Sequence, residues 1–392
     1  MSDLRTVTVV IPVRNGAPFL GRCLDALYAQ QAAAPELSLG IVAVDNGSID
    51  GSADFVARHY PGVQLIRNTV NRGFAGGCNQ GLAAYPAAVA VLLNQDTCVY
   101  DGWLRALVRA FDDPVVGVVG CKSYYPGGKR LQHAGAYIQR PRMVGIHYGH
   151  RQLDQGQADE SRAVEWVTGA SFAIRRAVIE RVGLLDEDFW PGYFEDMDYC
   201  LRTQAAGYQV WYCAAARLEH QETSSGIAKE VIQRFYQRGR LRVSLKHLSP
   251  AQWLYEFLPA ERQHGGPLDQ SVIVAAMYAA PELLKTHWRA NEQEIQAVLG
   301  GLRELGNFKD DQAPPIAGSI GGALGSLWYN MTARRAIQLV KDEQAKAERR
   351  HLQRLVELQR RVDELELANS ALHQQLTAVW DRQVDWRVGD ST

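Results

Sequence analysis

The sequence predicts an α/β fold: a mixed, mostly parallel sheet flanked by helices, followed by a helical region and a C-terminal coiled coil. Three observations carry this expectation. Strand and helix signals alternate over roughly residues 6–110, as they do where crossover helices join parallel strands. The strand signals are continuous apolar, β-branched runs, the pattern of strands covered on both faces. The closing segment has heptad spacing and lacks Pro and Gly from Thr332 to Arg382.

The elements follow in order. Thr6–Pro12 is the first strand, and Pro18–Gln30 sets Phe19, Leu20, Cys23, Leu24 and Leu27 at helical spacing. Gly40–Val44 is a second strand ending at Asp45-Asn46-Gly47-Ser48, with a helix after it. Val63–Arg67, a helix over Gly73–Ala84 and a strand over Ala88–Leu93 complete the regular part. Val115–Cys121 and Val164–Ile174 read as strands, with hairpin and loop over Tyr124–Glu160, a length often tied to function. Helices are expected at Arg176–Val182 and around Leu201–Ala206. Ile227–Leu305 is helical in pattern, and Gly306–Gly325, with Pro314-Pro315, reads as a hinge. The expected division is 1–226, 227–325 and 326–392.

In the last part, Leu355, Val362, Asn369 and Leu376 fall at a positions and Leu358, Leu365, Leu372 and Val379 at d. A lone Asn at a favours a parallel two-stranded pair, with a trimer as the alternative, and Arg361 at g matches Glu366 at e. A homo-oligomer held through 355–379 is therefore expected.

Composition narrows the class of protein. The 42 Lys+Arg and 43 Asp+Glu leave a net charge of −1, which argues against a chain that coats nucleic acid. Six scattered cysteines without a Cys-x-x-Cys pair suit a reducing compartment. With no secretory signal and no apolar run of spanning length, a cytoplasmic protein is expected. The basic-aromatic stretch from Gln233 to Trp288 reads as a solvated helical face, with peripheral membrane contact as the alternative.

The residues suited to chemistry follow strands, at the carboxyl edge where open α/β sheets bind ligands. Asp45 ends the second strand. Taken alone, Asp45–Ser52 is a turn with a helix cap, Ser48 or Asp50 satisfying free N–H groups. Asn71-Arg72-Gly73-Phe74-Ala75-Gly76-Gly77 opens a helix without the Lys-Ser/Thr of a P-loop, yet could bring N–H groups and Arg72 to a phosphate. Asn94 and Asp96 leave a strand two residues apart and so on one side, a donor pair suited to Mg²⁺ or Mn²⁺. Glu195, Asp196 and Asp198 lie among aromatics, where crowding and burial raise a carboxyl pKa toward that of a general base. His220, beyond another strand-like run, is a candidate third ligand.

Taken in order, these segments resemble the family 2 glycosyltransferases of the GT-A fold over roughly residues 6–226. The segments are Val10–Asn15, Val44–Ser52, Asn71–Gly77, Leu93–Thr97, Gly169–Arg175, Gly183–Phe189 and Glu195–Asp198. The Asn71–Gly77 form, and Asn94-Gln95-Asp96 where a double Asp is usual, are similar to the bacterial rhamnosyltransferase-like branch. The resemblance implies inverting transfer from a nucleotide-diphosphate sugar to a saccharide or polyprenyl-linked acceptor in surface polysaccharide synthesis. A thymidine diphosphate rhamnose donor is preferred, with a uridine diphosphate sugar as the alternative. It implies that Asp45 reads the base, with Pro12, Arg14 and Asn15 lining that pocket and Asn71, Arg72, Gly73, Asn94 and Gln95 on the donor. Asp96 and His220 would hold a divalent cation, Mg²⁺ or Mn²⁺. Asp196 would be the catalytic base with Glu195 beside it, and Trp166, Thr168, Gly169 and Asp198 would line the acceptor side.

Two other readings compete. A sugar nucleotidyltransferase would need a Gly-rich, basic loop after the first strand, for which Pro12–Gly16 is a poor substitute. A non-catalytic coiled-coil scaffold is opposed by the intact Asp45, Asp96, Glu195, Asp196 and His220.

Overall fold

In the computed structural model, residues 6–222, 228–264, 266 and 268–308 are described. The strands are β1 (Thr6–Val13), β2 (Ser38–Asp45), β3 (Gln64–Arg67), β4 (Val89–Leu93), β5 (Thr97–Val99), β6 (Val116–Tyr124), β7 (Leu131–His133), β8 (Ala136–Gln139), β9 (Val144–His147), β10 (Arg162–Ala163), β11 (Ser171–Arg175) and β12 (Gln209–His220). The helices are α1 (Ala17–Ala33), α2 (Ser52–His59), α3 (Gly73–Ala84), α4 (Trp103–Ala110), α5 (Arg176–Val182), α6 (Glu195–Ala205) and α7 (Lys229–His247).

The main sheet runs β10-β12-β6-β11-β4-β1-β2-β3, with β5 beside β12 and β7 beside β6. Strands β1 to β4 are mutually parallel, and β6 and β12 pair in parallel. Strand β11 lies antiparallel between β4 and β6. Every residue of β4, β6 and β11 is buried, as expected of strands with helices on both faces. Alternation divides β1 between two cores: Val7, Val9, Ile11 and Val13 pack with α1 and α4, and Val10 packs with α3 on the other face.

The run Val164–Ile174, expected as one strand, is divided. Only Ser171–Arg175 joins the sheet, while Trp166 donates its indole N–H to Tyr137 O and Gly169 N–H turns to Asp196. These contacts turn Trp166 toward β8 and Gly169 toward α6. The strand expected over Val115–Cys121 continues to Tyr124, held by β12 and β7.

Residues 229–308 pack into the same compact unit as the sheet. Leu241, Trp253 and Leu299 share one core with Phe172 and Met197. Arg240 and Glu261, both nearly inaccessible, form a two-pronged ion pair at 2.6 and 2.9 Å. Arg142 Nε, in the turn between β8 and β9, donates to the same carboxylate at 2.6 Å. The pairing satisfies buried charges, and removing one partner would cost about 3–5 kcal/mol. Among the described residues no helix is long and apolar enough to cross a membrane. All six cysteines are unpaired. The heptads at 355–379 and the hinge beyond Phe308 lie outside the described residues.

Candidate active site

The topology gathers the candidate residues at one edge. Because β1 to β4 are parallel, Arg14, Asp45 and Asn94 emerge at their carboxyl ends. Antiparallel β11 starts there, its Ser171 opposite Leu93, and β12 ends there, its His220 opposite Thr97. Strands β2 and β4 flank β1 on opposite sides, so the chain reverses direction across the sheet beside Arg14, where such sheets form a crevice.

The first two loops of that crevice are stitched together. Asn15 N–H donates to Ser48 Oγ at 2.9 Å, Gly16 N–H to Ser52 Oγ at 2.8 Å and Ala17 N–H to Asp50 Oδ2 at 3.0 Å. Ser48, Asp50 and Ser52 therefore serve the entry to α1, and Asp50 Oδ1 also accepts the Ser52 N–H at 3.0 Å, the capping of α2 that the sequence suggested. Arg14 Nη1 donates to Asn46 O at 2.8 Å and also to Gly47 O. Gln95 grips the Arg14 backbone from the far side, accepting its N–H at 2.9 Å and donating to its carbonyl at 3.0 Å. Gln95 thus holds the loop in place. Asp45 is 4% exposed and accepts the Ser48 N–H at 3.2 Å, with Pro12 one register step behind.

Two separate sequence motifs meet on the other side. Phe74 N–H donates to Pro191 O at 2.9 Å, and Trp190 Nε1–H to Asn71 O at 3.4 Å. Asn71 Oδ1 accepts the Gly73 N–H at 2.8 Å. Arg72 is exposed and 3.5 Å from Glu187, an arrangement too solvated to bind the arginine firmly. Phe74 approaches Gly169, and Gly169 N–H donates to Asp196 Oδ2 at 2.9 Å. The loop before α3, the Trp166–Ala170 loop and Asp196 are thereby neighbours.

Three acidic residues in the Glu195–Asp198 segment have three different environments. Asp196 is partly exposed, accepts from Gly169 and Met197 N–H groups, and is pushed up to about 6 by desolvation. Glu195 is 6% exposed, and among the described residues its Oε2 has no hydrogen-bond partner. Burial, then the neighbouring Asp196 charge, push its carboxyl well above the usual range. Glu195 is therefore a buried acid beneath the site, a correction to its expected catalytic place. Asp198 is fully buried. Burial alone would raise its pKa, but the His247 hydrogen bond at 2.8 Å and the charges of Arg202 and Lys246 hold it well below the carboxylate range. It anchors α6 to α7 and offers no surface to an acceptor.

Trp166 is also corrected. At 6% exposure it packs against the His133 and His147 rings beneath its loop. His147 is pushed down to about 4 by burial and then by His150. Thr168 is half-buried and Gly169 buried in the same loop.

Asn94, Asp96 and His220 converge. His220 Nε2 is 3.2 Å from Asp96 Oδ1 and 3.2 Å from Asn94 Nδ2, and Gln221 N–H donates to Asp96 O at 3.1 Å. One carboxylate and one imidazole side by side fit a hard divalent cation that takes its remaining oxygens from phosphate and water. Among the described residues no third His, Cys, Asp or Glu joins them to make a closed cage. Sequence reasoning missed Gln132, whose Oε1 lies 2.9 Å from His220 Nδ1, because its position depends on the pairing of β7 with β6.

Comparison with known proteins agrees with this geometry. Residues 5–240 match the family model described as glycosyltransferase like family 2. The pre-mycofactocin glycosyltransferase of Mycobacterium tuberculosis is 31% identical over 232 residues, 55% of this chain and 43% of that protein. The N-acetylglucosaminyl-diphospho-decaprenol L-rhamnosyltransferase of the same organism is 25% identical over 248 residues, 56% of this chain and 78% of that protein. The O-antigen chain rhamnosyltransferase RfbN of Salmonella typhimurium is 27% identical over 240 residues, 59% and 71% of the two chains. The match thus spans less than half the length of the pre-mycofactocin enzyme. Among solved structures, GalNAc-T7 with UDP, GalNAc and Mn²⁺ shares the fold at TM-score 0.53 and 16% identity, over 78% of this chain and 57% of that one. With its matched region covering more than half of its length and its sheet edge built as described, the chain belongs to glycosyltransferase family 2.

Proposed function

We propose that this protein transfers a sugar from a nucleoside diphosphate donor to an acceptor hydroxyl, with inversion at the anomeric carbon. The observation that carries the reading is Asp196: partly exposed, oriented by the Gly169 N–H, and raised toward neutral pH beside the donor-side loop. Asp196 takes the proton of the acceptor hydroxyl while that oxygen bonds to the anomeric carbon and the bond from that carbon to the phosphate oxygen breaks. One base on the face opposite the leaving group suffices for inversion. Asp45, with Pro12 and Asn15, contacts the base of the donor, and Asn71, Arg72 and Gly73 lie along its phosphates. Asp96 and His220 would hold a divalent cation, which supplies positive charge to the departing diphosphate.

Thymidine diphosphate rhamnose is the proposed donor, with a uridine diphosphate sugar as the alternative, and a saccharide or polyprenyl-linked chain the proposed acceptor. Similarity to the decaprenol rhamnosyltransferase and RfbN supports this choice. Such an acceptor would bring the protein to the cytoplasmic face of a membrane. A nucleotidyltransferase reading is disfavoured, because the N–H groups of Asn15, Gly16 and Ala17 are already taken by Ser48, Ser52 and Asp50 and cannot cradle a triphosphate. A panel of nucleotide sugars, assayed for binding and for slow hydrolysis in the presence of Mn²⁺, tests the assignment. Selective turnover of the rhamnose donor is expected, and response to none of them overturns it. The heptads at 355–379 support a homo-oligomer, and deletion of 326–392 is expected to give smaller particles in light scattering.

A further inference from the structure

The side chains behind His220 determine which ring nitrogen faces Asp96. Gln132, 7% exposed in β7, donates Nε2–H to Glu222 Oε2 at 3.2 Å and sets Oε1 2.9 Å from His220 Nδ1. Glu222 Oε2 accepts from the amide NH₂, so the amide carbonyl is the end turned toward the ring. That carbonyl also only accepts, so His220 Nδ1 carries the hydrogen. In the neutral ring the lone pair is then on Nε2, where Asn94 Nδ2 and Asp96 Oδ1 each lie 3.2 Å away. Two acceptors, Gln132 on one side and Asp96 on the other, compete for the single proton of the neutral imidazole. If Asp96 captured it, Nε2 would be blocked and the carboxylate occupied.

We propose that Gln132, oriented by Glu222, is a positioning residue that holds His220 in the Nδ1–H form and so presents Nε2 as a ligand nitrogen beside Asp96. The inference rests on reading Asp96 and His220 as cation ligands. Hydrogen bonds to the far nitrogen of a ligating His typically change metal affinity by about 10- to 100-fold.

The test uses the full chain at pH 8 and two readouts. Long-range ¹⁵N–¹H correlation of ¹⁵N-histidine protein reports the His220 tautomer without metal, and electron paramagnetic resonance of Mn²⁺ alone reports affinity. Gln132→Met keeps the length of the side chain and removes the acceptor. The double variant Gln132→Glu/Glu222→Gln restores an acceptor against Nδ1 with a donor behind it. Wild type is expected as Nδ1–H. Gln132→Met should shift the proton to Nε2 and weaken Mn²⁺ binding roughly 10- to 100-fold, and the double variant should reverse both changes. An Nε2–H wild type, or Gln132→Met with unchanged Mn²⁺ affinity, overturns the proposal. A wild-type chain that binds no Mn²⁺ removes the cation reading instead, and the tautomer spectra then decide alone whether Gln132 holds the ring.

Discussion

Gly73 and Trp190 are in contact so close that a Cβ on Gly73 would lie 2.7 Å from the indole Cδ1. Gly73 also has a φ of +76°, in the left-handed region. The pair joins the loop before α3 to the segment that leads into Asp196, although 117 residues separate them by numbering (190 − 73).

Gly73→Ala is therefore expected to weaken both the fold and the donor side. The left-handed backbone costs about 1 kcal/mol for an L-residue, and the overpacking roughly 1–3 kcal/mol. Urea denaturation should show the loss, and the donor KM should rise more than kcat falls. An unchanged urea midpoint would contradict both the backbone and the packing contributions.

The raised carboxyl of Asp196 gives a signed pH dependence. A base must be ionised, so kcat/KM is expected to fall about tenfold per pH unit below about 6 and to level off above it. Burial raises the Glu195 carboxyl as well, and Glu195→Gln, close in shape to the neutral acid, should retain activity to within a few-fold. A hundredfold loss in Glu195→Gln would return that residue to the catalytic machinery.

Asp198→Asn should chiefly cost stability. It leaves Arg202, Lys246 and His247 without their shared anion in a buried place, a loss of about 3–5 kcal/mol. The contribution of Asp198 is present above the ordinary carboxylate pKa and is lost as pH falls through its depressed value. Wild type should accordingly lose stability on acidification more steeply than Asp198→Asn, as measured by thermal melts at a series of pH values.

Much of this was legible in the sequence for a definite reason. Strands such as Val89–Leu93 are uniformly apolar because both faces are covered, and Asp45, Asn94 and Asp96 fall at or just after strand ends, the edge where open α/β sheets bind ligands. What depended on distant pairing was not legible. Nothing local in Val164–Ile174 shows that Trp166 and Gly169 are drawn off by Tyr137 and Asp196. Gln132 reads as an ordinary loop polar residue until β7 pairs with β6 and carries it to His220. The three carboxylates at 195–198 look equivalent in sequence, and only packing against α7 and Gly169 makes one an anchor, buries one and leaves one partly exposed.

The central claim, that Asp196 is the base of a transfer reaction, is tested most directly by Asp196→Asn. Donor binding followed by calorimetry in the presence of Mn²⁺ should stay within a few-fold of wild type, while product formation falls by roughly 10²- to 10⁴-fold. An Asp196→Asn protein that transfers sugar at the wild-type rate would contradict the account.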